Sequence, residues 1–168
     1  RGNILNILAA LAIADKLGVS IEAQRRAVRQ IEQIEHRLSM RRNGGITILD
    51  DAYNSNPTGA RMALEVLSGF VTEGKRYVLT PGFVEMGTKQ YDNNREFGRN
   101  IAAAKPDGVY VINEVNRKAI VEGLTEGGYP TAQLRCVASF NEAMGELQPR
   151  LKSGDVMLYE NDLPDSFK

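Results

Sequence analysis

Ile48-Leu49-Asp50-Asp51-Ala52-Tyr53-Asn54-Ser55-Asn56-Pro57-Thr58 is the stretch on which the reading of this 168-residue chain turns. An apolar run enters two carboxylates, then a loop rich in asparagine, then a proline. The run predicts a strand over residues 46–50, and the proline predicts a helix over 58–70. Asn56 suits the N-cap, where a side-chain oxygen takes up free backbone N–H groups, and Pro57 suits the first helical position. A helix N-terminus carries unpaired donors and a partial positive charge, which favours an anion such as phosphate. A carboxylate at a strand end suits the hydroxyls of a ribose. Asn54 and Asn56 each offer a donor and an acceptor to a base or a phosphate. A plainer reading stays open, in which both asparagines only cap and turn while the carboxylates are solvated.

Downstream, strands and helices alternate. Strands are predicted over 76–80, 108–112, 133–137 and 156–159, and helices over about 90–104 and 114–126. Ser139-Phe140-Asn141-Glu142 forms a capping box that opens a helix to about residue 152. Short, continuously apolar strands separated by helices predict an α/β fold. The expected architecture is a Rossmann-like, doubly wound, mostly parallel sheet with helices on both faces. Ligands of such sheets sit beyond the carboxyl ends of the strands. Those ends read Asp50-Asp51-Ala52-Tyr53-Asn54, Thr80-Pro81-Gly82, Asn113-Glu114 and Glu160-Asn161-Asp162.

Upstream, residues 4–17 are strong helix formers, apolar around most of the helix surface, so burial on several sides is expected. Gly18 ends this helix, and Ser20 caps a second one over roughly 21–35 with apolar Ile21, Val28, Ile31 and Ile34. Asn43-Gly44-Gly45 marks a turn. The boundary is expected near residues 36–44, dividing a short helical segment, 1–40, from the α/β domain, 41–168.

Composition narrows the function classes. Lys plus Arg is 21 and Asp plus Glu is 21, so no charge excess points to nucleic acid or an anionic membrane. Arg25, Arg26, Arg29, Arg37, Arg41 and Arg42 cluster, but Glu22, Glu32 and Glu35 dilute them into a solvated face. The single cysteine, Cys136, excludes an internal disulfide and reads as a buried thiol in a reducing compartment. His36, the one histidine, cannot build a histidine metal site alone. No apolar run reaches the ~18 residues that span a bilayer. The opening Arg1-Gly2-Asn3-Ile4 has neither an initiator methionine nor a signal pattern, and suggests a cut inside a longer protein.

The central stretch resembles the signature that opens the carboxy-terminal domain of Mur ligases. Its Asp-Asp-x-Tyr-Asn-x-Asn-Pro form is that of the branch adding D-alanyl-D-alanine to a muramoyl tripeptide. Three further elements agree in order and spacing. Gly2-Asn3-Ile4-Leu5-Asn6 through Ala10 is similar to the stretch ending the family's central ATPase domain. His36-Arg37-Leu38 is similar to the element just before the carboxy-terminal domain. Thr80-Pro81-Gly82-Phe83-Val84-Glu85-Met86-Gly87 is similar to the family's Gly-Asp-Met-x-Glu-Leu-Gly loop, with Pro81-Gly82 where Gly-Asp is usual.

The resemblance implies roles. Asn6 matches the adenine contact, Arg37 the catalytic arginine that reaches the terminal phosphates, and Asp51 the ribose ligand. Tyr53, Asn54 and Asn56 lie in the loop that closes over the nucleotide. Glu160, Asn161 and Asp162 lie in the loop approaching the substrate, where the branch usually carries Lys-Gly-Ser-Arg. A basic loop suits a peptide carboxylate, and an acidic one suits an amine or amide. The histidine usual before Asn3 is replaced by Gly2.

The implied activity is ATP-dependent amide-bond ligation in peptidoglycan precursor synthesis, in the cytoplasm. ATP activates a carboxylate as an acyl phosphate, and an amine, D-alanyl-D-alanine in this branch, attacks it. The implied partners are ATP, a UDP-muramoyl peptide, and the amino-terminal and central domains of the same protein. No Gly-x-x-x-x-Gly-Lys-Ser/Thr loop and no magnesium-binding set is evident in the chain, so Mg²⁺ is expected on the upstream domain. The chain alone is expected to be inactive. A receiver domain would need an aspartate after the third strand, which here ends Ile112-Asn113. A dinucleotide-binding dehydrogenase would need Gly-x-Gly-x-x-Gly, which is missing. A nucleotide-independent interaction module, leaving the asparagines only capping duties, is the remaining alternative.

Overall fold

The structure, a computed structural model, describes residues 4–32, 34–53, 55–164 and 167. The chain divides into two compact units, Arg1–Ile34 and Glu35–Lys168.

The first unit is a helix pair, α1 (Ile4–Lys16) and α2 (Ile21–Arg29). Gly18, at φ 76°, and Ser20, whose hydroxyl accepts the N–H of Ala23, separate the two. Gln24 is buried and donates to the carbonyl of Val19 at 2.8 Å. α1 contains no buried residue, contrary to the burial expected of it: Leu5 is 76% exposed. Within this unit only α2 covers it among the described residues, and one short helix cannot shield an all-round apolar surface. α2 stops at Arg29, short of residue 35. Ile31 and Ile34 stay exposed, and a short helix that buries no apolar side chain gains too little to continue.

In the second unit β1 (Ser39–Asn43) and β2 (Ile46–Asp51) pair antiparallel, with Asn43 opposite Ile46. Gly44 and Gly45 form the two-residue turn, both at positive φ (57° and 83°), as a hairpin this tight requires. Then α3 (Pro57–Ser68), β3 (Arg76–Thr80), α4 (Gln90–Ala104), β4 (Gly108–Ile112), α5 (Arg117–Glu126), β5 (Leu134–Val137), α6 (Phe140–Leu147) and β6 (Val156–Glu160) alternate. The sheet order is β1-β2-β6-β3-β4-β5, and every pairing except β1 with β2 is parallel.

The helices α3, α4 and α5 step the chain from β2 outward to β5. α6 then returns it to insert β6 between β2 and β3. Crossovers running both ways stay right-handed only if α6 lies on the opposite face. The two cores agree. Leu64, Phe97, Ile120 and Leu124 meet Val78, Val109 and Leu158 on one side, while Ala143 and Leu147 meet Leu79, Tyr110 and Met157 on the other. The sheet is therefore doubly wound and mostly parallel, with helices on both faces.

Two local expectations change. Cys136 is exposed, because β5 is an edge strand of the sheet. α6 ends at Leu147 and passes into a 3-10 turn, Gln148–Arg150, in which Pro149 has no N–H to donate. Its capping box is shifted: Ser139 accepts the N–H of Glu142 at 3.1 Å, while the Glu142 carboxylate accepts that of Ala138 at 2.7 Å. Among the described residues no helix is long and apolar enough to cross a membrane.

Candidate functional site

β2 and β6 end side by side, with Asp51 opposite Glu160. The N–H of Asn161 donates to the carbonyl of Asp51 at 3.1 Å, and that of Asp162 to Ala52 at 3.0 Å. Side chains alternate along a strand, so Asp50 faces the α6 side with Ile48 and Asp51 faces the α3 side with Leu49.

The two neighbouring acids therefore live differently. Asp50 is 1% exposed and accepts from His36 Nδ1 at 2.9 Å, from the Arg41 guanidinium and from the N–H of Ala52 at 3.3 Å. It is an internal brace that ties β1 and the preceding loop to β2, its buried charge balanced by partners. Asp51 is half-buried. Burial raises its carboxyl above the usual range, a bond from the backbone of Leu38 lowers it, the Asp50 charge raises it, and the Arg37 charge lowers it.

The loop before β1 reaches this strand end. The carbonyl of His36 accepts the N–H of Tyr53 at 3.0 Å. The Arg37 guanidinium then lies 4.7 Å from the centroid of the Tyr53 ring, a cation–π contact. His36 and Leu38, on either side of Arg37, are both left-handed, at φ 60° and 50°. Non-glycine residues hold such backbone only where the surroundings impose it. Arg37, Asp51 and Tyr53 are thus brought together at the carboxyl edge, with Arg37 exposed and Tyr53 66% exposed.

Asn56 is the N-cap of α3, its Oδ1 accepting the N–H groups of Thr58 (3.1 Å) and Gly59 (3.0 Å). Two donors of that helix end are therefore already used. Asn54 lies outside the described residues, as do Gly2 and Asn3. Asn6 is exposed on α1, in the other unit.

The β6 end departs from the expectation that Glu160, Asn161 and Asp162 face a substrate. Glu160 is fully buried and hydrogen-bonded to the Ser55 hydroxyl. Burial pushes its carboxyl up to about 8; the Ser55 bond opposes that, and the nearby Asp51 charge adds to it. Asn161, left-handed at φ 66° and 4% exposed, accepts the N–H of Ser55 at 3.3 Å and donates to the carbonyl of Gly82 at 2.6 Å. Only Asp162 is exposed. The cause is position: β6 is interior to the sheet, and its end stitches the β2 and β3 loops together. Ser55 was not singled out from sequence. The signal for Glu160 was its alternation with Val156 and Leu158, both on the buried α3 side.

Buried amides also hold the β3 loop. Asn94 bonds both the N–H and the carbonyl of Phe83, at 2.8 and 2.9 Å, and Asn116 donates to the carbonyl of Pro81 at 2.9 Å. Beside Tyr53, on the α6 side, a cleft of about 730 Å³ is lined by His36, Asp50, Phe140, Tyr159 and Asp162. Among the described residues no group of three or more His, Cys, Asp or Glu side chains could hold a metal ion. The edge thus offers a guanidinium, a carboxylate and an aromatic face: donors for an anion, an acceptor for hydroxyls and a stacking surface.

Residues 36–159 match the family described as Mur ligase, glutamate ligase domain. The chain is 23% identical over 164 residues to the UDP-N-acetylmuramoyl-tripeptide--D-alanyl-D-alanine ligase of Bacillus subtilis (strain 168), covering 95% of this chain and 35% of that protein. To the enzyme of the same description from Mycobacterium tuberculosis (strain ATCC 25618 / H37Rv) it is 26% identical over 173 residues, covering 92% and 34%. A crystal structure of MurF from Acinetobacter baumannii superposes with a TM-score of 0.82 at 25% identity, covering 96% of this chain and 35% of that one. MurF ligase from Thermotoga maritima, in complex with ADP, shares the fold with a TM-score of 0.78 at 24% identity, covering 96% and 35%. The chain spans about a third of the length of the curated relatives it matches.

Proposed function

The chain belongs to the Mur ligase family, and on that premise we propose that it is the carboxy-terminal, nucleotide-facing part of an ATP-dependent amide-bond ligase. The ligase acts in the cytoplasm on a UDP-muramoyl peptide, and its amine substrate is D-alanyl-D-alanine. The observation that carries this is the cluster of Arg37, Asp51 and Tyr53 at the carboxyl edge of the sheet. An exposed guanidinium held over an aromatic ring suits terminal phosphates, and a carboxylate beside it suits ribose hydroxyls.

ATP, when bound, supplies the phosphoryl group that activates a carboxylate for attack by an amine. This chain's residues bind and orient. Arg37 offers its charge to the terminal phosphates, Asp51 takes the ribose, and Tyr53, with Asn54 and Asn56, borders the nucleotide. Asn6 contributes the adenine contact from the helical segment, which ends a central ATPase domain. Closure of the α/β domain excludes water from the reacting groups. Mg²⁺ has no fitting cluster among the described residues and is assigned to none of them.

A second reading keeps the ligase chemistry and changes the amine. It is favoured by Asp162, the exposed acid where the D-alanyl-D-alanine branch carries a basic loop. The test is ATP titration of the full-length protein with this chain present and deleted. Nucleotide affinity should fall when the chain is removed. Equal affinity would point instead to a nucleotide-independent interaction module. Turnover with D-alanyl-D-alanine against single amino acids then separates the two amine readings.

A further inference from the structure

At the opposite edge of the sheet, where the strands begin, a cleft of about 960 Å³ opens beside α6. Its floor holds Tyr77 of β3 and Tyr110 of β4, two members of the core beneath α6. Gly108 makes room for the first: a Cβ there would come within 2.8 Å of the Tyr77 ring. Tyr77 is 8% exposed and Tyr110 3%. Buried phenols ordinarily pair their hydroxyls. Among the described residues neither hydroxyl has a protein partner, and neither is among the sealed, unpaired polar atoms, so both oxygens reach the cleft.

The cleft is lined by four basic side chains, Lys75, Arg135, Arg150 and Lys152, against three carboxylates. Arg150, on the turn after α6, has no ion-pair partner among the described residues. Burial pushes both phenols up; at Tyr77 the Asp155 and Asp107 charges add to the rise before the Arg150 charge opposes it, and at Tyr110 the Arg150 charge opposes it while Glu146 adds. Arg135 lines the same cleft, its nearest carboxylate partner, Glu146, 4.0 Å away. Two of the three lining carboxylates are turned onto backbone. Asp155 accepts the N–H groups of Lys75 and Lys152 at 2.8 and 2.9 Å, and Asp107 that of Arg76 at 2.9 Å. Glu73, the third, is exposed. The groups left without a partner among the described residues therefore include three donors, two phenolic O–H groups and the Arg150 guanidinium, beside the exposed Glu73 carboxylate. The cleft volume is that of a small-molecule site.

We propose that this cleft binds a small oxyanion, a phosphate or a carboxylate, through the hydroxyls of Tyr77 and Tyr110 and the guanidinium of Arg150. It is a second site, separated from the Arg37–Asp51–Tyr53 cluster by a strand length of roughly 16 Å. The test is NMR titration of the full chain with inorganic pyrophosphate in one arm and succinate in the other, following the tyrosine rings. Saturable shifts of Tyr77 and Tyr110 are expected in at least one arm, and which arm saturates identifies the anion class. Arg150→Gln, at an exposed position, should weaken that binding by about tenfold, the value of one charge-assisted bond. Tyr110→Phe, which keeps the ring and the core, should weaken it as well. The proposal fails if neither arm saturates, if only Tyr53 shifts, or if either substitution leaves the affinity unchanged.

Discussion

The Ser55 hydroxyl bonds to Oε1 of Glu160, while Oε2 of the same buried carboxyl has no hydrogen-bond partner among the described residues. Charging a sealed group with one oxygen unpaired is costly, so the fold keeps the proton. The carboxyl ionises at about 8, against an ordinary 4.5. Between those values the folded chain holds a proton that the unfolded chain has released. Stability from this group is therefore fully present below 4.5 and is lost as pH rises through the window to about 8. The slope approaches about 1.4 kcal/mol per pH unit. Glu160→Gln, neutral throughout, should flatten this profile and be the more stable protein at the alkaline end. Denaturant unfolding of both proteins at about pH 5 and about pH 8 checks it. Parallel pH profiles would show that another group titrates.

The crossing of α4 and α5 depends on two missing side chains. A Cβ at Gly123 would lie 1.9 Å from the carbonyl oxygen of Arg95, and one at Gly98 would lie 2.3 Å from that of Ile120. Both clashes are with backbone, which cannot rotate aside. Gly123→Ala should therefore destabilise the domain by roughly 1–3 kcal/mol, as overpacking does, despite the higher helix propensity of alanine. A melting temperature equal to that of the parent would show that the helices separate without cost.

Asn56 caps α3 with two hydrogen bonds from an exposed position. Asn56→Ala should cost about 1 kcal/mol of stability through the lost cap. Asn56→Asp keeps the acceptor and adds a charge favoured at a helix start. If the asparagine only caps, aspartate restores both stability and nucleotide affinity in the full-length protein. If its amide also meets the nucleotide, aspartate restores stability but not affinity. Thermal melts and ATP titration of the two variants separate these outcomes.

The parallel part of the sheet is legible from sequence because its strands are short apolar runs, buried on both faces, between capped helices. β1 is not. Ser39-Met40-Arg41-Arg42-Asn43 has no apolar alternation, and four of its five residues are exposed on the sheet edge. Only the Gly44-Gly45 pair before β2 hinted at a hairpin. At the site, the strand-end pattern points to Asp50 and Asp51 together, whereas the choice of Asp51 and the roles of Tyr53 and Arg37 come from resemblance. Nothing local to the sequence says that two left-handed residues fold its loop back onto Tyr53. Glu160 and Asn161 mislead because acids and amides are usually solvated. Their burial is set by β6 inserting between β2 and β3, a long-range fact.

Arg37 and Asp51 are the residues on which the ligase reading is most exposed to test. Arg37 lies over Tyr53, and its charge opposes the rise that burial imposes on the Asp51 carboxyl, so removing it disturbs two neighbours. In the full-length protein Arg37→Ala should reduce ligase turnover by ~10²-fold, the cost of losing one group that stabilises developing charge. Arg37→Lys keeps a charge but not the planar fork, and should recover little of that. Asp51→Asn keeps shape and loses the charge, so it should raise KM for ATP more than it lowers kcat, the signature of a binding contact. Tyr53→Phe retains the ring beneath Arg37 and should stay close to the parent. Steady-state kinetics of the four variants decide it: unchanged turnover for Arg37→Ala removes that residue from the site, and an unchanged KM for Asp51→Asn removes the ribose contact.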